Sequence, residues 1–194
     1  NIGQVSSILK ILGSMAGNQG DYKQAIIYFK EGLEYAKQTE DRKLECLLLN
    51  NLGVTEGFMG SYPQAEDYFQ EGLMVAQQIG HQEQICMLLL NLGSAAAEQK
   101  HYEQASSYLR KGLVVGRHIG HREATSLLLL NLGEIAIAQD DLLEAEKFLL
   151  ETLGAVHQLN RPHIKAKALY EYGKLNLRRH KIKEAESQFN EVIE

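Results

Sequence analysis

The sequence has only two cysteines and two prolines, and it lacks the motifs from which chemistry is most often read. The phosphate-cradling loop ending in Gly-Lys-Ser/Thr is missing, and so is the Gly-x-Ser-x-Gly turn of a serine nucleophile. His-Glu-x-x-His is missing too: the nearest approach, His121-Arg122-Glu123-Ala124-Thr125, has no second histidine. These absences argue against an enzyme. No apolar run approaches the roughly 18 residues needed to cross a bilayer, and the longest leucine run is Leu127 to Leu130. No secretory signal is visible. Basic residues are in deficit, 20 against 25 acidic, for a net charge of −5, whereas a general nucleic-acid binder carries a basic surplus. The expectation is a cytoplasmic chain that engages neither membrane nor nucleic acid and needs no cofactor.

The two cysteines are Cys46 and Cys86, forty residues apart. That step recurs throughout. Glycine stands at Gly13, Gly53, Gly93, Gly133 and Gly173, preceded by Leu12, Leu52, Leu92, Leu132 and then Tyr172. Alanine keeps the same step at Ala25, Ala65, Ala105, Ala145 and Ala185. Two small residues and one large apolar residue in fixed phase mean one unit copied five times, because periods of about 20–50 residues mark stacked repeat arrays. Cys46 and Cys86 then hold the same place in adjacent units. Equivalent sites on neighbouring packed helices lie about 8–10 Å apart or more, and a disulfide needs Cα atoms within about 7 Å. Both are expected to be free thiols, as suits a reducing compartment.

Each unit reads as two helices. Leu88, Leu89, Leu92, Ala95, Ala96 and Gln99 follow helical spacing, as do Tyr102, Ala105, Leu109, Leu113 and Ile119. The turn inside a unit carries Gly20, Gly60, Gln99-Lys100-His101, Asp140 and His180; the turn between units carries Gly80, Gly120 and Asn160. Gly and Asn accept the left-handed conformation that closes a helix, and Pro63 and Pro162 fall in first turns, where a missing N–H costs little. First helices are expected near 2–18, 42–59, 82–99, 122–139 and 162–179. Second helices are expected near 22–39, 62–79, 102–119, 142–159 and 182–194. The fold class is all-α: an α-solenoid of five units, approximately 2–41, 42–81, 82–121, 122–161 and 162–194, forming a single array over 1–194. Gly53 and its equivalents sit inside helices, where glycine costs about 1 kcal/mol against alanine. The expected return is a close helix approach, with Leu52 and Ala65 filling the contact. A chain that begins at Asn1 and ends on Glu194 in mid-pattern reads as a piece of a larger protein.

Leu49, Leu52, Gly53, Tyr62, Ala65, Phe69 and Gly72 follow one another in the order of the tetratricopeptide repeat, and this chain resembles that family. Leu89, Leu92, Gly93, Tyr102, Ala105, Leu109 and Gly112 match in the next unit. The period departs from the family's usual length of about thirty-four residues, and the last unit is the weakest match, with Ile182 in place of the aromatic. The resemblance is closest to the sensor arrays of bacterial signal-transduction ATPases and maltose-activator-like transcription factors. Similar repeats occur in peptide-binding quorum receptors and in eukaryotic polarity adaptors. It implies a right-handed superhelix whose inner wall binds a protein or peptide and does no chemistry.

On that wall the resemblance places Asn51, Asn91 and Asn131, each before the Leu-Gly pair. Asparagine offers a donor and an acceptor. The row either pairs with the backbone of a bound segment or bonds neighbouring helices. Met87, Leu90, Leu127 and Leu130, with Leu47, either floor an apolar groove or belong to the core. Gly57, Ser94 and Ala97 are small beside them. The clamp that grips chaperone tails is not expected: its basic positions hold Met87 and Asn91, and Lys10 is accompanied by Ser14. In residues 161–183, Lys167, Tyr170, Lys174 and Arg178 share one helical face. That face either docks an acidic segment or phosphate, or is solvated or covered by a further repeat. His81, His118 and His121 lie near helix ends, and a zinc site would want three or four convergent ligands, so no metal is expected. Small-molecule sensing and self-association remain the alternatives to peptide binding.

Overall fold

Ten α-helices and no strand make up the computed structural model, which describes residues 2–156 and 161–193. They are α1 (Ile2–Asn18), α2 (Tyr22–Gln38), α3 (Arg42–Phe58), α4 (Tyr62–Gln78), α5 (Gln82–Glu98), α6 (Tyr102–His118), α7 (Arg122–Ala138), α8 (Leu142–Val156), α9 (Pro162–Arg178) and α10 (Ile182–Ile193). The expected elements are present to within a residue or two. The expected end of α8 and the turn residue Asn160 lie outside the described residues.

Eight of the connections repeat one device, at positions that are multiples of twenty. Gly20, Glu40, Gly60, Gly80, Lys100, Gly120, Asp140 and His180 are left-handed, with φ between 55° and 82°. The next residue donates its N–H to the carbonyl five residues back: Asp21 to Ala16, Ser61 to Glu56, His101 to Ala96 and Asp141 to Ala136, each at 2.9 Å. This pairing closes a helix whose last carbonyls have no helical partner. The donating residue then opens the next helix. Asp21, Asp41 and Asp141 accept from the N–H of Gln24, Leu44 and Glu144 at 3.0–3.1 Å. His81 and His121 do the same through Nδ1, accepting from Gln84 at 3.4 Å and Ala124 at 3.2 Å. The sequence repeats every forty residues; the backbone turn repeats every twenty.

The chain divides into two compact units, residues 1–101 and 102–194. In the first, consecutive helices α1 to α5 pack pairwise, and α3 also touches α1 and α5. In the second, α6 to α10 pack in the same sequential way, with α7 also against α9. Within each unit, first helices of successive repeats thus touch one another, α1 with α3 and α3 with α5 in the first and α7 with α9 in the second.

The recurring glycine marks where a large side chain must fit. A Cβ on Gly13 would lie 2.4 Å from Phe29 Cε1, and one on Gly53 would lie 2.4 Å from Phe69 Cε1. Gly133 faces Leu149 at 2.9 Å and Gly173 faces Phe189 at 2.5 Å. The contact is therefore filled by the large side chain sixteen residues on, rather than by Leu52 and Ala65, which are buried beside it. A second glycine, Gly32 or Gly72, admits Leu48 or Leu88 from the next first helix at 3.2–3.3 Å. There Ser6 Oγ donates to the Gly32 carbonyl at 2.7 Å, and Cys46 Sγ takes the equivalent place on Gly72 at 3.5 Å. Both cysteines are buried free thiols.

Candidate functional site

Between α1, α2 and α3 lies a cavity of about 260 Å³, lined among others by Gly13, Gly17, Asn18, Tyr22, Asn51 and Phe58. Between α3, α4 and α5 lies another of about 240 Å³, lined by Gly53, Gly57, Phe58, Tyr62, Asn91 and Glu98. Gly13, Gly17, Tyr22, Phe29 and Asn51 of the first recur forty residues on as Gly53, Gly57, Tyr62, Phe69 and Asn91 of the second. The repeat thus builds the same concavity twice. Its causes are local. The second helix starts with a tyrosine, whose ring stands at the mouth. The first helix carries glycines on the facing side, so the wall is bare backbone. Tyr22 stacks on Phe58 with ring centroids 5.7 Å apart and planes 8° from parallel. Phe58 is nevertheless 69% exposed and lines both cavities.

Asn51 and Asn91 are half-buried and line successive cavities. Asn91 Nδ2 donates to Asn50 Oδ1 at 2.8 Å. Asn50 escapes the sequence reading because the residues forty and eighty positions on are Leu90 and Leu130. Asn131 is half-buried on α7. Met87 is half-buried on α5, and Leu127 is half-buried against the core of α7, α8 and α9. Leu90 and Leu130 require a correction. They are 6% and 0% exposed, on the flank of the first helix that turns inward, so they are core and offer a ligand no surface.

A tetratricopeptide-repeat family profile matches residues 4–78 and 44–115, together more than half of the chain. The chain is a member of the tetratricopeptide-repeat family. A comparison with curated proteins gives no match. Among solved structures the tetratricopeptide fold recurs over nearly the whole chain. BtubC from P. vanneervenii is 16% identical, with 98% of this chain and 79% of that chain covered and a TM-score of 0.86. A Rap protein complexed with competence and sporulation factor is 15% identical, with 97% and 53% covered and a TM-score of 0.84. The TPR-like repeats of a Podosopora anserina putative kinesin light chain are 12% identical, with 98% of this chain and 93% of that chain covered and a TM-score of 0.79. The chain spans about half the length of the Rap protein. At these identities the likeness is one of fold.

The second unit has a cavity with a different lining, about 410 Å³ and bounded by Glu134, Ile137, Ala138, Lys174, Leu177 and Arg178. Lys174 and Arg178 both line it, and the face is not a free basic surface. Lys167 pairs with Glu134 at 2.7 Å, Lys174 with the buried Glu171 at 2.7 Å, and Arg178 with Asp140 at 3.7 Å. Lys174 also lies over the Tyr170 ring, 5.6 Å from its centroid. Burial raises the Glu134 pKa, and the bond from Lys167 opposes it. Glu134 belongs to α7 and Asp140 to the turn that follows it, more than twenty residues before the basic stretch, so a count of charges along α9 misses them. The two capping histidines are accounted for by backbone N–H groups. Among the described residues no three His, Cys, Asp or Glu side chains converge on a metal position. Among the same residues no helix is long and apolar enough to cross a membrane.

Proposed function

We propose that the chain is a non-catalytic recognition array that binds an extended segment of a partner protein along its row of first helices. The observation that carries this is the pair of cavities with the same lining forty residues apart, each containing an asparagine with its amide at the wall. A register-repeated cavity suits a ligand that is itself a chain, with one side chain per cavity and a backbone that repeats between them. Asn51, Asn91 and Asn131 supply donors and acceptors for that backbone, and Met87 and Leu127 supply half-buried apolar surface beside them. The Rap likeness supports the same reading, since that protein is complexed with a competence and sporulation factor. The forty-residue step that runs unbroken through 1–194 supports one binding array, serving as the sensor or interaction region of a larger, cytoplasmic bacterial regulator.

Panning a phage-displayed random peptide library on the immobilised protein tests this. Enriched peptides should lose about tenfold or more in affinity, about 1.4 kcal/mol, on combined Asn51→Ala, Asn91→Ala and Asn131→Ala. They should be unaffected by Gln70→Ala with Gln77→Ala on the exposed side of α4. The reading fails when no sequence is enriched, or when binding survives the triple change and is lost on the α4 changes.

Self-association has an observation of its own. Val5, Ile8, Leu12 and Met15 of α1 are 39%, 54%, 37% and 54% exposed, whereas their equivalents Glu45, Leu48, Leu52 and Thr55 of α3 are all buried. In α3 that face meets α2. A second copy covering α1 would give a concentration-dependent mass in sedimentation, abolished by Leu12→Glu; a mass that stays monomeric at all concentrations removes this reading.

A further inference from the structure

The groove reading leaves the occupant unnamed, and two glycines narrow it. Glycine inside a helix costs about 1 kcal/mol against alanine, and at Gly13 and Gly53 a facing ring explains it. Gly57 has no such reason: an added Cβ would meet nothing within 4 Å. At Gly17 the added atom would meet only the Ala25 methyl, at an ordinary 3.8 Å. The same register position in the second unit holds Ile137 and Leu177, so the helix pair accepts a large side chain there. Gly154, which also has no neighbour, is different, because its equivalents are Val114 and Met74 and no glycine recurs. Gly17 and Gly57 hold open the walls of the two cavities and let a ligand approach bare backbone, which is the use glycine has at such sites.

The two cavities differ at one end. The first is closed by Asn18 and Phe58, the second by Phe58 and Glu98. The first has no charged residue in its lining, which joins Gly13, Gly17, Tyr22 and Phe29 to the uncharged Ser14 and Thr55. In the second an exposed carboxylate, Glu98, lines the cavity together with two aromatic residues, Phe58 and Tyr62. Aromatic faces accept the stem and head of a basic side chain, and the carboxylate accepts its charge.

Resting on the groove reading, we propose that the first cavity takes a large apolar side chain of the partner segment and the second takes a lysine or arginine three residues away. The spacing follows from the helix row. First helices α1 and α3, and then α3 and α5, are in contact, and packed helices lie about 8–10 Å apart. Three residues of polyproline-II chain advance about 9 Å and bring the side chain back to the same face. Asn51 and Asn91 stand one in each cavity, within reach of the backbone that links the two side chains.

The probe is acetyl-Phe-Ala-Pro-Arg-amide, titrated into isotope-labelled protein and followed by amide chemical shifts. Saturable shifts are expected at Gly17, Gly57 and Glu98. Gly57→Leu, whose Cβ meets nothing within 4 Å and whose side chain starts from the wall of the second cavity, should weaken binding about tenfold or more while leaving the melting temperature no lower. Glu98→Lys should invert the preference, so that acetyl-Phe-Ala-Pro-Glu-amide binds more tightly than the arginine peptide. The proposal is overturned when no saturable shift reaches either cavity, or when binding ignores both substitutions. In either case the groove reading stands provided library peptides still depend on Asn51, Asn91 and Asn131. When they do not, that reading fails on its own account.

Discussion

At the scale of single residues, two glycines four positions apart in α3 have opposite reasons. Gly53 is fixed by packing: a side chain there drives into the Phe69 ring. Gly53→Leu should lower stability by about 1–3 kcal/mol or more, because added bulk in a packed contact forces rings off their rotamers. Gly57→Ala meets nothing and removes a helix glycine, so it should raise stability by about 0.5–1 kcal/mol. Thermal melting of the two variants checks both signs, and similar shifts in the same direction would show that the helix contact is not where the glycine step places it. The cysteines give a prediction in pH. Burial pushes the Cys46 and Cys86 thiols up to about 11, from an ordinary value of 9.0. Between those values the native chain holds more protons than the unfolded one, so stability falls as pH rises through that window. It is fully present below about pH 9. Ser6 already fills the equivalent place and donates to Gly32, so Cys46→Ser should fold and keep a bond to Gly72. From pH 9 to 11 the melting temperature of the native chain should fall more than that of the variant with Cys46→Ser and Cys86→Ser. Equal slopes would mean the thiols ionise freely in the fold.

At the scale of the element, helix spans were legible because amphipathic spacing and turn residues agree, and a seventeen-residue helix followed by a three-residue turn leaves little latitude. What was not legible is the conformation of Glu40. Its repeat equivalents are Gly80 and Gly120, yet nothing in a glutamate announces a left-handed residue; it is held there at φ 55° by the Asp41 N–H bonded to Ala36. Glu40 and Lys100 adopt a conformation that costs an L-residue about 1–2 kcal/mol. Part of that is offset because glycine would lose more freedom on folding, about 0.4–1 kcal/mol. Glu40→Gly and Lys100→Gly should therefore each stabilise by a few tenths to about 1 kcal/mol, measured by urea denaturation. The effects should add, since sites without shared partners act independently. A loss of stability from either would show that its side chain makes up for the strain.

At the scale of the molecule, the repeat arithmetic that exposed the fold also concealed parts of the site. A forty-residue average finds Gly53, Ala65 and the asparagine column, because they recur. It passes over Asn50, which recurs as leucine, and it cannot tell Leu90 from Met87, because burial depends on the flank of the helix rather than on residue type. Partners of the α9 cations Lys167 and Arg178 lie on α7, at Glu134, and in the turn after it, at Asp140, and only tertiary packing brings them together. Nearest-neighbour architecture also predicts how protection is distributed. In an array each helix is secured by those it touches. α3 is flanked by α1, α2, α4 and α5 and buries Leu44, Leu48, Leu49 and Leu52, whereas α10 packs on α9 and buries Ala185. Local opening costs least where few apolar contacts hold an element. In hydrogen exchange followed by mass spectrometry, α10 should exchange first, and α3 should exchange last among the helices of residues 1–101. α1, with its outward apolar stripe, should lie between. Protection of α1 that rises with protein concentration would reveal a copy seated on Ile8 and Leu12. Protection of α10 equal to that of α3 would contradict the nearest-neighbour account, because α10 packs on α9 alone among the described helices whereas α3 touches four.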